Sequence, residues 1–158
     1  MSDLTHLDAE GRASMVDVSE KAETKRIAVA KGRIYMAAET LALVEAGGVK
    51  KGDVYTVARI AGIMAAKKTA DLIPLCHPLP IQNVQVDLES NTFENCVDIT
   101  ATASLYGRTG IEMEALAAVS VAGLAIYDMC KAVDKAMRIT DVRLIHKSGG
   151  KSGTFNAE

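Results

Sequence analysis

The stretch "VQVDLESNTFENCVDITATASL", residues 84–105, alternates twice between apolar and polar side chains. Val84, Val86 and Leu88 fall on one side of the first half, with Gln85, Asp87 and Glu89 on the other. In the second half Val97, Ile99, Ala101, Ala103 and Leu105 share a side. A period of two is the mark of a strand with one face buried and one wet. The polar "SNTFEN" between the halves predicts a β-hairpin over 84–89 and 97–105. A sheet with one apolar face needs a cover, and the flanking sequence supplies one.

Upstream, "KRIAVAKGRIYM" (25–36) reads as a further strand and "AAETLALVEAGG" (37–48) as a short helix stopped by Gly47 and Gly48. Asp53 is placed to cap a second helix, on which Val54, Val57, Ile60, Ala61 and Met64 form an apolar stripe. That helix must end before Pro74, since the residue preceding a proline is pushed out of the α region. Downstream, "TGIEMEALAAVSVAGLAIYDMCKAVDKAM" (109–137) predicts one long helix and "RITDVRLIH" (138–146) a last strand. The order β-α-α-β-β-α-β is met economically by an α+β, ferredoxin-like antiparallel sheet with helices on one face. Residues 1–24 are expected to be a mobile N-terminal arm, 25–147 the single domain, and 148–158 a flexible Gly/Ser/Lys tail.

The long helix carries apolar or small residues nearly all round: Leu116, Val119, Gly123, Ile126 and Cys130 on one face, Ala118, Val121, Ala125 and Ala132 on another. A helix lying on a sheet buries one face only, so the second face predicts contact with another subunit, with Asp128 and Lys131 at or beside it.

The chain has 158 residues, a formal net charge of −2, only six aromatic residues (4 Tyr, 2 Phe) and 49% apolar residues. It lacks the broad basic surface that duplex nucleic acid demands. The three cysteines, Cys76, Cys96 and Cys130, are odd in number and show no CxxC spacing, so neither a disulfide framework nor a zinc ribbon is indicated. The N-terminus has no apolar core of a secretory signal, and no run of about 18 apolar residues stands out as a membrane span. These features predict a cytoplasmic protein without a membrane partner.

Lysines come in close pairs: Lys50/Lys51, Lys67/Lys68, Lys131/Lys135 and Lys147/Lys151. Taken singly they are solvated surface. Lys51, however, precedes a helix N-terminus, where backbone N–H groups already favour anions, and Lys67 ends the same helix, so together they suit a polyphosphate. Asp128 and Lys131 are neighbours on one helix turn. They read either as a surface ion pair or, if desolvated, as a lysine tuned for proton exchange. Glu112 completes a Thr-x-x-Glu capping box with Thr109, which leaves Glu114 unexplained. Glu114 and Asp128 lie roughly 21 Å apart along one helix, so they grip one small group only through a long ligand or a second chain. The tail "SGGKSG" (148–153) fails the Walker pattern, which needs glycine where Ile145 stands. "DLIPLCHPLP" (71–80) holds all three prolines around Cys76 and His77. Adjacent Cys-His is a poor metal bite with no spaced partner motif, so the reading is a rigid corner that holds His77 still for a ligand.

The stretches "MVDVS" (15–19), "KGDV" (51–54), "ARIAGIMAAKKTADLIPLCHPL" (58–79), "GIEMEAL" (110–116) and "IYDMCKAVDK" (126–135) resemble the molybdenum cofactor biosynthesis protein C family of cyclic pyranopterin monophosphate synthases. The resemblance runs from "LTHLD" to "KSGGKSG". It implies a ferredoxin-like fold assembled as a homo-hexamer, a trimer of dimers, with sites at dimer interfaces. It implies conversion of (8S)-3',8-cyclo-7,8-dihydroguanosine 5'-triphosphate to cyclic pyranopterin monophosphate and pyrophosphate, with no cofactor and no metal, downstream of a radical SAM GTP cyclase. Lys51 and Lys131 match lysines of acid–base chemistry and charge neutralisation, and Asp128 the catalytic carboxylate. Leu75, Cys76 and His77 match one substrate-contacting run, Met113 and Glu114 a second, and Glu112, Lys67 and Lys147 further pocket positions. The competing expectation, from a different class, is a non-catalytic nucleotide- or RNA-binding ferredoxin-like module, which needs exposed stacking aromatics on its strands.

Overall fold

A computed structural model describes residues 6–157. Strand β1 (Thr24–Tyr35) leads into helix α1 (Ala38–Glu45), helix α2 (Val54–Lys67) and the single turn α3 (Thr69–Leu72). The hairpin β2 (Asn83–Asn91) and β3 (Cys96–Gly107) follows, then helix α4 (Glu112–Cys130), strand β4 (Arg138–Ser148) and the short β5 (Phe155–Asn156). The five strands form one sheet in the order β2-β3-β1-β4-β5, and every neighbouring pair is antiparallel. Within the tail expected over 148–158, Phe155 pairs with Lys147 and Asn156 with His146.

The hairpin behaves as its alternation dictates. Val86, Leu88, Val97, Ile99, Ala101, Ala103 and Leu105 are buried under the helices, and β1 adds Ala28, Ala30 and Ile34 to the same face. Helix α1 ends in a Schellman turn: Gly48 N–H reaches the Leu43 carbonyl, Gly47 N–H reaches that of Val44, and Gly47 takes φ of 67°. Asp53 caps α2, accepting from the N–H groups of Tyr55 and Thr56.

Of the apolar stripe expected on α2, only Val54 lies in the core. Val57, Ile60 and Met64 are exposed, whereas Ala58, Gly62, Ala65 and Ala66 are buried. Helices α2 and α4 run so close that a Cβ on Gly62 would lie 2.9 Å from the Ala118 carbonyl oxygen, so only small side chains fit between them. Helix α4 also stops at Cys130 rather than near 137, and a turn over 131–137 leads into β4. Among the described helices α4 alone is long and apolar enough to cross a bilayer by length and composition. Here it is the core helix, with Ala115, Ala118, Val119, Ala122 and Ile126 fully covered.

Candidate active site

The two ends of α4 each gather charged side chains that are distant in sequence. At its C-terminus, Lys51 reaches in from the loop between α1 and α2. Its Nζ donates to Asp128 Oδ2 at 3.1 Å and to the Asp128 main-chain carbonyl at 2.8 Å. The second bond satisfies one of the carbonyls that every helix C-terminus leaves unpartnered. Lys131 Nζ holds the other carboxylate oxygen, Oδ1, at 2.7 Å. Two ammonium groups from separate elements therefore share one carboxylate. Hydrogen bonds from Lys131 and then Lys51 hold the Asp128 carboxyl below the usual range, and Asp128 in turn pushes Lys131 up.

The desolvation expected for this lysine is not present within the protomer. About half of each of these three side chains is exposed, because α4 ends at Cys130 and Lys131 projects from its C-cap. The hydrogen bond to Asp128, and after it the opposite charge of that carboxylate, decides the direction of its shift.

At the N-terminus of α4, Lys147 on β4 donates to Glu112 Oε1 at 2.7 Å. This corrects the capping-box reading: the N-cap residue is Ile111 with no side-chain cap, and Glu112 turns to the lysine instead. Two residues further in, Glu114 is 4% exposed. Burial pushes its carboxyl up to about 7, and the Glu112 charge adds to the rise. The Cys76 thiol of the Pro-rich corner is pushed up by burial first and then by the charge of Glu114. Leu75 is half-buried there and Met113 is exposed. His77 Nε2–H donates to the Val16 carbonyl at 2.7 Å, so the imidazole fastens the N-terminal segment to the corner. Because α2 runs antiparallel to α4, Lys67 lies toward this same end.

Glu114 gives a pH test. Its folded pKa lies above that of an unfolded glutamate, so the native chain binds the extra proton between pH 4.5 and about 7, and stability falls as pH rises through that window. Glu114→Gln is expected to match the parent near pH 4.5 and to exceed it at pH 8 by on the order of 2 kcal/mol in urea unfolding at matched concentration. An unchanged difference across that range would contradict the buried carboxyl.

A cleft of about 620 Å³ opens from Glu112 and Lys147, lined also by Lys21, Arg26, Arg108 and Lys151. Arg26 is buried and points inward in phase with Ala28 and Ala30, donating from Nε to the Gly107 carbonyl and from Nη1 to that of Gly149, each at 3.2 Å. Gly149 and Gly150 have φ of 102° and 75°. A Cβ would meet the Lys25 carbonyl oxygen at 2.1 Å from the first and Arg26 Nη1 at 1.9 Å from the second. The bare backbone is thus what lets the chain close against the guanidinium. Arg108 donates to the Ser19 carbonyl at 3.0 Å. The sequence reading missed Lys21, Arg26 and Arg108. A charge at an inward-facing strand position was the available sign for Arg26.

The open face of the sheet offers little for stacking. Tyr35 and Tyr106 sit at opposite ends of the β1/β3 ladder, opposite Cys96 and Lys25, and Tyr35 is covered by the guanidinium groups of Arg33 and Arg138. The concavity there, about 380 Å³, is lined mainly by charged groups, including the Arg33–Asp98 pair at 2.9 Å.

A family model described as the MoaC family matches residues 15–150, a span that includes every position named at the two ends of α4 except Lys151. The chain belongs to the MoaC family. It is 63% identical over 158 residues, covering all of both chains, to the cyclic pyranopterin monophosphate synthase of Dinoroseobacter shibae. It is 61% identical over 154 residues to the synthase of the same name from Rhodospirillum rubrum, covering 98% of this chain and 93% of that one. To that of Thermomicrobium roseum it is 58% identical over 158 residues, covering 100% and 95%. In this MoaC-family chain the candidate residues therefore form two groups, Lys51–Asp128–Lys131 and Glu112–Glu114–Cys76–Lys147. Along α4 the groups are separated by the 14 residues from Glu114 to Asp128, roughly 21 Å.

Proposed function

We propose that the chain is a cyclic pyranopterin monophosphate synthase, a lyase of molybdenum cofactor biosynthesis. It converts (8S)-3',8-cyclo-7,8-dihydroguanosine 5'-triphosphate to cyclic pyranopterin monophosphate and releases pyrophosphate. The observation that carries this reading is the Asp128 carboxylate held at 3.1 and 2.7 Å by two amines from different elements, in a chain about 60% identical over its length to such synthases. Rearranging the purine ring needs several proton transfers. Ionised Asp128 is the base of the pair and protonated Lys131 the acid, with Lys51 leaving the cluster one positive charge in excess to neutralise charge on the anionic substrate. Closing the cyclic phosphate needs a positioned hydroxyl and stabilisation of the negative charge that leaves with pyrophosphate. The basic cleft suits the polyphosphate: Lys147 offsets Glu112, and Lys21, Arg26, Arg108 and Lys151 supply the remaining positive charge. Leu75, Cys76, His77, Met113 and Glu114 hold the base, with Lys67 nearby.

The reading includes a ferredoxin-like fold, supported by the order β2-β3-β1-β4 in an antiparallel sheet, and assembly as a hexamer of three dimers. It also includes a reduced, cytoplasmic setting, supported by three free cysteines, and supply of the substrate by a radical SAM GTP cyclase. Residues 6–24 act as an arm and 148–157 as a tail that closes over substrate phosphates bound by the 25–147 domain; residues 1–5 and 158 of the expected arm and tail lie outside the described residues. Incubation of the purified chain with the cyclised nucleotide is expected to yield stoichiometric pyrophosphate and a cyclic phosphate by mass spectrometry. Unchanged substrate after exhaustive incubation would count against the assignment.

A further inference from the structure

The segment 131–137, between α4 and β4, contains Lys131 but has no regular secondary structure to hold it. Three residues after Lys131, the carboxylate of Asp134 takes up the slack. Its Oδ2 accepts from the main-chain N–H of Ala37 at 2.9 Å and from the Thr40 hydroxyl at 3.2 Å, and its Oδ1 accepts from the Ala136 N–H at 3.0 Å. Ala37 is the N-cap residue of α1 and has no side-chain oxygen to serve that helix. Asp134 provides the cap from 97 residues away. The other end of α1 turns through Gly47 and Gly48 into the loop that delivers Lys51. One carboxylate thus ties the segment bearing Lys131 to the helix that aims Lys51. The Tyr127 hydroxyl, which donates to the Lys135 carbonyl at 3.0 Å, closes the same turn from the α4 side.

We propose that Asp134 is a positioning residue that keeps the amines of Lys131 and Lys51 on the two oxygens of Asp128. The bond from the Ala37 N–H holds the Asp134 carboxyl below its ordinary range, so it stays an acceptor at neutral pH. The inference rests on the catalytic reading of Lys51, Asp128 and Lys131. A cap that served α1 alone would affect stability and nothing else.

The test uses the full chain with Asp134→Ala, Asp134→Asn and Thr40→Val. Two quantities are read: kcat and KM with the cyclised nucleotide, and the pH titration of the Lys131 amine by NMR of labelled lysine without substrate. For Asp134→Ala, kcat is expected to fall by about tenfold or more with KM within about twofold, and the Lys131 titration to move back down toward an ordinary lysine. Asp134→Asn keeps one carbonyl oxygen and is expected to recover part of both losses. If Asp134→Ala does not fold, Asp134→Asn and Thr40→Val carry the same comparison through partial loss of the anchor. Lower thermal stability with parental kcat and an unmoved Lys131 titration would overturn the proposal. The titration needs no turnover, so a parent chain inert on this nucleotide overturns the functional reading while a displaced Lys131 titration still upholds the anchor.

Discussion

Lys131→Ala and Lys51→Ala are each expected to lower the rate of pyrophosphate release by on the order of 10²–10⁴-fold, the usual reach of one positioned acid or base. The Asp128 carboxylate is bound on both oxygens, by Lys131 at Oδ1 and by Lys51 at Oδ2. Removing either amine leaves a neutral ion pair in place of a triad with one positive charge in excess, so the remaining partner is both displaced and retuned. Lys131 sits above the usual lysine range because of Asp128, which makes it an acid that releases its proton only once the carboxylate beside it is neutralised. Lys131→Arg should not rescue, since a guanidinium keeps charge and reach but does not give up a proton at accessible pH. Size-exclusion chromatography of each variant should match the parent, because all three side chains are half exposed and support no core contact. Parental turnover in either alanine variant would remove that lysine from the chemistry.

How much of this was legible beforehand follows from which forces act locally. The hairpin was readable because burial on one face of a strand writes a period of two directly into residues 84–105. The cap at Asp53 and the stop at Gly47 were readable because each answers a backbone need met within a few residues. The α2 stripe misled because its partner is another helix at close range. Contact with the Ala118 carbonyl selects Gly62 and its alanine neighbours, so the larger Val57, Ile60 and Met64 are left outside the protomer. Glu112 misled for the opposite reason: its nearest backbone need was outcompeted by an amine 35 residues away on β4. Family motifs supplied the residues at both ends of α4. The joining of Lys51 to Asp128, 77 residues apart, is a product of the antiparallel crossing of α2 and α4, which no local pattern encodes.

Mixing two inactive variants is expected to restore activity. Glu114 and Asp128 face one ligand poorly within a single chain, because the rigid helix between them holds their Cα atoms roughly 21 Å apart. If each working site combines the Glu114 end of one protomer with the Asp128 end of another, Glu114→Ala and Lys131→Ala damage different halves of it. In a two-fold dimer with reciprocal sites, a mixed pair collects both lesions in one site and leaves the other intact. Random exchange at equal amounts then gives mixed dimers about half the time, each with one good site, or about a quarter of parental activity from two nearly dead preparations. The measurement is pyrophosphate release after the two tagged variants are co-refolded and the doubly tagged species is isolated. Sites built within one chain predict no recovery at any ratio, since every protomer then carries a lesion in its own site. Recovery that tracks the doubly tagged fraction instead assigns the two ends of α4 to one shared site across the interface.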